Sequence, residues 1–161
     1  MCSSDLLAAR AAEARLAPCW SVMAGFDARL ETPLDGVFVV GRPVSWAARD
    51  ASKPGRPAGE RWIVHGHWQW STDHLEDEPG EVADALLASF FEALDLAPRA
   101  PAFRATHRWR YALPVGPLSE DALFDAATGL GACGDWCNGP RVEGAWLSGR
   151  TLARRMVAAL G

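Results

Sequence analysis

The sequence is poor in several features that mark particular classes of protein. Lys53 is the only lysine among 161 residues, and acidic residues outnumber basic ones to give a formal net charge of −4. A chain of this charge is a poor partner for nucleic acid or for an anionic membrane surface. No run approaches the roughly 20 apolar residues that a membrane-spanning helix requires. We therefore expect neither nucleic acid nor a membrane as a partner.

Cysteine is also scarce, and its spacing excludes the usual cysteine chemistry. The sequence has four cysteines: Cys2, Cys19, Cys133 and Cys137. The last two are separated by three residues without a second pair nearby, so we predict neither a zinc site nor a redox dithiol. We expect both to be small buried fillers. His65 and His67 share one face of a predicted strand, but two ligands are too few for a metal site.

The beginning of the sequence lacks two signals. Charged residues interrupt its apolar stretch, namely Arg10, Glu13 and Arg15. We therefore expect no signal peptide and a reduced, cytosolic setting. A Gly-x-Gly-x-x-Gly string that follows a strand, the fingerprint of a dinucleotide-binding βαβ unit, is also missing there. That string occurs only at Gly129, Gly131 and Gly134, with no complete βαβ unit after it.

What the sequence does contain predicts an α+β fold with a mixed, mainly antiparallel sheet. Nearly half of the residues are apolar and eight are tryptophan, enough for a substantial core. Period-two patterns predict strands at 20–25, 36–40, 45–50, 62–70 and 103–113, and a weaker pair within 124–133. Apolar residues at helical spacing predict helices at 4–16, 81–94 and 142–160.

The segment from Gly131 to Gly149 is the most informative part of the sequence. An apolar run ends in Gly134-Asp135, and after a turn a helix opens near Val142. The free N–H groups and partial positive charge of such a helix start attract acceptor-rich or anionic ligands. Gly134 would let a ligand approach the backbone, and Asp135 would accept a hydrogen bond from a hydroxyl group. The small residues Gly144 and Ser148, four apart, would admit a flat ligand or a neighbouring backbone.

Three further blocks, together with this motif, resemble a known family. They are Ser45-Trp46-Ala47-Ala48-Arg49-Asp50, Ser52-Lys53-Pro54-Gly55-Arg56 and His107-Arg108-Trp109-Arg110-Tyr111-Ala112. In this order they are similar to the renalase-like branch of the FAD-dependent amine-oxidase superfamily. The resemblance runs from about Cys19 to Met156. The second block also reads as a turn, so we assign Lys53 no role beside the flavin.

The resemblance implies a non-covalent FAD and a set of contacting residues. Six residues would contact the cofactor: Gly134, Asp135, Arg141, Val142, Glu143 and Ala145. Three aromatic residues would line the substrate site: Trp109, Tyr111 and Trp136. His107 would contact the substrate or the flavin and handle a proton. The strand pattern alone favours a packed aromatic face with a satisfied histidine for His107, Trp109 and Tyr111. Local signals alone likewise favour a turn residue at Asp135 and a helix-start carboxylate at Glu143, and Trp136 is equally consistent with core packing.

The resemblance also implies a division of the chain. Residues 1–18 would be a helical remnant, 19–130 the substrate-domain sheet with a helix at 81–95, and 131–161 the C-terminal part of the FAD-binding domain. The whole enzyme would oxidise a reduced nicotinamide-type or amine substrate by hydride transfer to FAD, with O₂ as the final acceptor. Because the glycine fingerprint is missing, we expect the Rossmann half to be needed in cis or in trans.

Two other functions remain open at this point. The chain would alternatively be a stand-alone ligand- or partner-binding module without redox chemistry, or one subunit of a split two-chain flavoenzyme. If the Rossmann half is absent, the face around Gly144, Ala145 and Ser148 loses its packing partner. Exposed surface of that kind favours association, so we expect poor solubility. A stand-alone module would instead cover this face with its own side chains.

Overall fold

The computed structural model describes residues 3–116 and 118–160. Its helices are α1 (Ser3–Ala11), α2 (Trp68–Asp73), α3 (Pro79–Ala93), α4 (Asp135–Asn138) and α5 (Val142–Leu160). Its strands are β1 (Leu16–Phe26), β2 (Gly36–Phe38), β3 (Val44–Arg49), β4 (Glu60–Gly66), β5 (Phe103–Pro114), β6 (Leu123–Asp125) and β7 (Leu130–Ala132). Cys2 and the outermost residues of the predicted segments 1–18 and 131–161 lie outside the described residues.

Five strands form one sheet in the order β2-β3-β4-β1-β5, and β6 pairs with β7 separately. The pairs β1–β4, β2–β3, β3–β4 and β6–β7 are antiparallel. Val64 in the middle of β4 lies opposite Val22 on one side and Ala47 on the other, and all three are fully buried. This register places one continuous apolar row across the three central strands. The predicted α+β class with a mainly antiparallel sheet is therefore confirmed.

Helix α3 covers one face of this sheet. It has Pro79 in its first turn and ends at the Leu94 cap, close to the predicted bounds. Val82, Leu86 and Phe90 recur every four residues and are almost completely buried, because side chains at this spacing lie along one side of a helix. They pack on a sheet face that includes Trp20 and Trp62. The opposite face of the sheet carries more exposed side chains.

The predicted strand at 62–70 is wrong beyond Gly66. β4 ends there, and Trp68 and Trp70 belong to the short helix α2. The Nδ1 atom of His67 accepts the N–H of Gln69 at 3.4 Å, which caps the helix. A Cβ at Gly66 would lie 2.8 Å from Oγ of Ser71, so only glycine lets α2 fold back this closely. The period-two pattern thus continues past the point where the strand stops.

The predicted helix at 4–16 is also too long. Helix α1 ends at Ala11, and β1 begins at Leu16. Pro18 disfavours helical backbone at the preceding residue and cannot donate a helical hydrogen bond. Ala17, Pro18 and Cys19 are buried in the strand. Burial against the sheet therefore decides the conformation of the residues that the composition had assigned to a helix.

The end of β3 carries a buried charged network. Arg49 is 2% exposed, and its Nε donates to Oε1 of Glu60 at 3.3 Å while its Nη1 donates to Oδ1 of Asp35 at 2.6 Å. The indole N–H of Trp62 donates to the same Glu60 oxygen at 2.7 Å, and the guanidinium lies 4.8 Å from the centre of that ring system. Burying these charges is tolerated because each finds a partner. The network joins three segments: 32–35, β3 and β4.

The chain divides into two compact units. The first contains Met1–Ala17 and Tyr111–Gly161, and the second contains Pro18–Arg110. Segments from the two ends of the chain thus share a unit. The assignment of residues 19–130 to a substrate domain and of 131–161 to a FAD-binding domain stays a prediction. Within the described residues, no helix combines the length and the apolar character needed to cross a lipid bilayer.

Candidate functional site

The first unit contains the corner that the sequence analysis singled out. After β7, the short helix α4 ends where the N–H of Gly139 donates to the carbonyl of Asp135 at 2.7 Å. The N–H of Arg141 donates back to the carbonyl of Gly139 at 2.8 Å, and α5 begins at Val142. The predicted helix start at Val142 is confirmed, and the predicted turn before it is a short helix.

Gly139 sets the geometry of this corner. Its φ angle is +104°, a region that residues with a side chain rarely adopt. A Cβ at this position would meet nothing within 4 Å, so the glycine is required by its backbone conformation and not by crowding. The chain can therefore reverse between α4 and α5 within three residues.

The close approach predicted at Gly134 is made by the protein itself. A Cβ on Gly134 would lie 2.3 Å from Nε1 of Trp136, so the indole covers this glycine. Ser148 holds the same segment, because its Oγ accepts the N–H of Gly134 at 3.1 Å and donates to the carbonyl of Asp121 at 2.6 Å. Gly134 is thus packed against Trp136 in this structure, where the sequence analysis had expected a ligand.

The small residues of α5 pack against backbone. A Cβ at Gly144 would lie 2.3 Å from the carbonyl oxygen of Gly139, so the two helices touch through their main chains. Gly144 and Ser148 are buried, and Ala145 is half-buried. The expectation that this face lacks a packing partner is wrong for Gly144 and Ser148. The small residues were expected to admit either a flat ligand or a neighbouring backbone, and the structure shows the neighbouring backbone.

A cavity of about 440 Å³ nevertheless opens at the start of α5. Its lining combines the α4–α5 connection with the first turns of α5: Asn138, Gly139, Pro140, Arg141, Glu143, Gly144 and Leu147. The first hydrogen bond of the helix runs from the N–H of Ala145 to the carbonyl of Arg141 at 3.1 Å. The preceding N–H groups of α5 therefore lie outside the helical ladder, at its positive end. With the exposed guanidinium of Arg141, this donor set suits an acceptor-rich ligand edge.

Of the two predicted carboxylates, Glu143 lines this cavity and Asp135 does not. Asp135 is half-buried, and within the described residues its carboxylate has no hydrogen-bond or ion-pair partner. Glu143 is exposed in the first turn of α5, where a negative charge stabilises the helix start. Asp135 is thus available to a ligand hydroxyl, whereas Glu143 has a structural role already.

The two cysteines of the corner differ from one another. Cys137 is buried, and burial raises the pKa of its thiol, so it stays protonated at neutral pH. Cys133 is exposed. The expectation of a small buried filler is confirmed for Cys137 and wrong for Cys133.

The second unit contains His107 and Trp109, on the edge strand β5. Their rings are 4.3 Å apart in an edge-to-face arrangement; His107 is exposed and Trp109 is 53% exposed. Between them, Arg108 points to the other side of the strand, where its guanidinium lies 5.3 Å from the ring of Trp20. A packed aromatic face, the alternative from the strand pattern, is therefore wrong. Tyr111, further along β5 and in the first unit, is 79% exposed.

Glu76 holds the arginine side of β5. Its carboxylate accepts hydrogen bonds from Nη1 of Arg110 at 2.6 Å and from Nη1 of Arg108 at 2.9 Å. The hydrogen bond from Arg110 is the largest of the effects that lower the pKa of Glu76. Because the two arginines are held in this way, β5 presents His107 and Trp109 to solvent.

His65 on β4 and His67 directly after it make different contacts. The ring of His65 lies 5.0 Å from the ring of Trp46. The pKa of His65 is lowered, mainly by burial and secondly by the positive charge of Lys53. His67 caps α2 instead. Among residues 3–116 and 118–160, no group of three metal-binding side chains lies close together.

Sequence reasoning missed a cavity on the more exposed face of the sheet. It has a volume of about 390 Å³ and lies between β1, β4 and the start of β5. Met23 and Ile63, which are directly opposite one another, form part of its wall together with Phe103. The half-exposed odd positions of β4 are the one sequence signal that could have revealed it.

Comparison with known proteins establishes the fold. No protein-family profile matches the chain. The structure is similar to the crystal structure of a candidate protoporphyrinogen oxidase from Exiguobacterium sp. 255-15, with a TM-score of 0.62 over 91% of this chain and 14% sequence identity. The chain spans about a third of that protein, 36% of its length. The likeness is one of fold.

Proposed function

We propose that this chain is part of a flavin-dependent oxidoreductase of the renalase-like type, and that it contributes the substrate-side sheet and a flavin-contacting corner. The cavity at the start of α5, with its free N–H donors, is the observation that carries the proposal. The motifs that resemble the amine-oxidase superfamily support it. So does the likeness in fold to a protein described as an oxidase, of which this chain spans only part.

The residues at the cavity fit one part of the cofactor. The backbone N–H groups of Val142 and Glu143, with the guanidinium of Arg141, are donors that match the carbonyl and nitrogen acceptors of the flavin pyrimidine edge. The carboxylate of Asp135 would accept a ribityl hydroxyl, and Ala145 would flank the ring. Gly134 does not join this set, because Trp136 covers it.

The chemistry that FAD supplies when bound is acceptance of a hydride from a reduced nicotinamide-type or amine substrate, with O₂ as the final acceptor. This chain's own contribution is to bind and to orient. The positive start of α5 stabilises negative charge beside it. In the second unit, His107, exposed on β5 with Trp109 at its side, would hold or release a proton on the substrate.

The nucleotide-binding part of the cofactor site would come from a Rossmann half in the same polypeptide or in a second one. The one Gly-x-Gly-x-x-Gly string of this sequence, at Gly129, Gly131 and Gly134, is not followed by a complete βαβ unit, so we assign the adenine-side half of FAD to that Rossmann half. The non-covalent mode of binding follows, since none of the cysteines lies in a context that we recognise as a flavin-attachment site.

One observation favours a second function, a ligand-binding module without redox chemistry. The small-residue face of α5 is covered by the chain's own backbone at Gly144 and by Gly134 and Asp121 at Ser148. A stand-alone module predicts that the chain covers this face itself, although by side chains, and the cover found consists of main-chain groups. The two functions differ in ligand recognition. Only the flavin-dependent function requires this corner to recognise an isoalloxazine ring.

The test is an NMR titration of the ¹⁵N-labelled chain with riboflavin, which carries the ring without the nucleotide. We expect weak, saturable shifts centred on the amides of Val142 and Glu143. Arg141→Glu should abolish them, since it reverses the charge beside the helix start. Arg154→Glu makes the same charge change on the exposed side of α5 and should leave them intact. Shifts spread over the sheet alone, or none, would favour the module.

A further inference from the structure

The cavity on the exposed face of the sheet has apolar walls. Met23 on β1 and Ile63 on β4 are cross-strand neighbours, and Phe103 at the start of β5 is 62% exposed beside them. Exposed side chains of this size in a concave site are typical of ligand pockets. Within the described residues, the cavity belongs entirely to the second unit.

The floor of the cavity is a glycine inside a strand. Gly25 lies opposite Arg61 in the β1–β4 pair. A Cβ at Gly25 would lie 3.6 Å from Cβ of Phe103 and 4.0 Å from Cγ of Arg61, which are ordinary contacts. Neither crowding nor a positive φ therefore requires glycine here. A glycine inside a strand weakens it and often marks the close approach of a ligand.

One end of the cavity is positively charged. Among the described residues that line it, Asp50 carries the one carboxylate, which pairs with Lys53 at 3.6 Å and Arg61 at 3.7 Å. Arg56, 3.5 Å from Asp50, lies outside the lining, so the lining keeps one uncompensated positive charge. Arg61 is held in place by the carbonyl groups of Ala58 and Pro57. Lys53 is 44% exposed, so its ammonium group is accessible to a ligand while it pairs with Asp50.

We propose that this cavity binds a flat apolar ligand that carries a single anionic group, with the ring system over Gly25 and the anion at Lys53 and Arg61. The apolar walls supply burial of a ring, and the uncompensated positive charge supplies a charge-assisted contact. The positive charge of Lys53 also acts on His65. Burial lowers the pKa of His65 most, and the charge of Lys53 lowers it further. The inference does not use the flavin assignment, because it concerns different residues and a different unit.

The experiment measures binding of naphthalene probes to the full chain by fluorescence. We expect 2-naphthoate to bind about tenfold more tightly than 2-naphthalenemethanol, which has the same ring without the charge. 2-Naphthyl phosphate, run beside them, distinguishes a carboxylate from a phosphate as the preferred anionic group. Equal affinity for the charged and neutral probes, or no binding of either, would overturn the proposal.

Two variants and two controls locate the site. Lys53→Met should reduce the affinity for 2-naphthoate about fivefold to tenfold and leave the neutral probe unchanged. Gly25→Met should fill the floor of the cavity and abolish binding of both the charged and the neutral probe. Gly25→Ala should retain binding of both probes. Arg104→Met removes a cation from a different surface, beside Asp84, and should have no effect. Unchanged affinity in Lys53→Met, with a native circular dichroism spectrum, would place the anion elsewhere and refute the assignment.

Discussion

At the scale of single residues, burial decides which charges the fold depends on. Arg49 and Glu60 are almost fully inaccessible, and each satisfies the other, whereas Arg56 is 56% exposed beside Asp50. Arg49 ends β3, Glu60 begins β4, and Arg56 lies in the loop between them, so their positions in the sequence do not distinguish the buried pair from the exposed one. Burial alone separates a structural ion pair from a solvated one.

Arg49→Ala should therefore destabilise the chain by about 3–5 kcal/mol, because it leaves the carboxylate of Glu60 buried without its cation. Urea unfolding followed by tryptophan fluorescence measures this loss. Arg56→Ala, in which the lost cation is solvated, should change the free energy of unfolding by less than about 0.5 kcal/mol. A similar loss of unfolding free energy in both variants would show that solvent exposure does not determine how much these ion pairs stabilise the fold.

His65 gives the fold a pH dependence whose direction follows from its environment. Burial, with the charge of Lys53, lowers its pKa in the folded state below the unfolded value. The unfolded chain therefore binds the proton more readily, and stability rises with pH through this range. We expect the urea midpoint to fall as the pH is lowered from about 6.5, the ordinary value for histidine.

The matched control for this effect is the exposed His107. His65→Gln should make the urea midpoint fall less steeply below pH 6.5. The reason is that a neutral side chain replaces the one whose protonation opposes folding. His107→Gln should leave the decline as it is in the unmodified chain. If the two variants behaved alike, the pH dependence would have to come from other groups, such as the carboxylate of Glu76 at lower pH.

At the scale of elements, the corner between α4 and α5 depends on how close two backbones come. Gly144→Ala would push a methyl group against the carbonyl of Gly139, a rigid backbone atom, and should destabilise the first unit by about 1–3 kcal/mol. Gly149→Ala, one turn further on, meets only Sγ of Cys133 at 4.0 Å. It should stabilise α5 by up to about 1 kcal/mol. Thermal unfolding of the two variants compares them directly.

The opposite order of the two melting temperatures would mean that α4 and α5 are not in backbone contact. The proposed cavity would then lose its shape, since Gly139 and Gly144 both line it. The comparison is controlled for helix propensity, because both substitutions make the same chemical change within one helix.

The elements also show where sequence patterns are reliable. Helix α3 and the start of α5 were predicted closely, because their apolar spacing and terminal residues act locally. β4 was extended too far because Trp68 and Trp70 continue its alternation by chance. What ends the strand is a contact between Gly66 and Ser71 and a histidine cap, and neither is visible as a period.

At the scale of the whole molecule, the sequence located the candidate corner but not its interior. The helix start at Val142 and the donors around it follow from local signals. The covering of Gly134 by Trp136 and of Gly144 by Gly139 depends on contacts between elements, which no local pattern encodes. For the same reason the sequence pattern left open whether the aromatic side of β5 is packed or accessible, since this depends on Glu76 holding the arginines from another segment.

The central claim is that this chain recognises the isoalloxazine ring of a flavin and not the adenine-side half of FAD. The most direct measurement is the affinity of the full chain for FAD and for riboflavin, compared in one calorimetric series. The account predicts weak binding with equal affinity for the two within error. Binding of FAD more than about tenfold tighter than riboflavin would reveal a nucleotide site in this chain. Either that result, or binding of neither compound, would contradict the account.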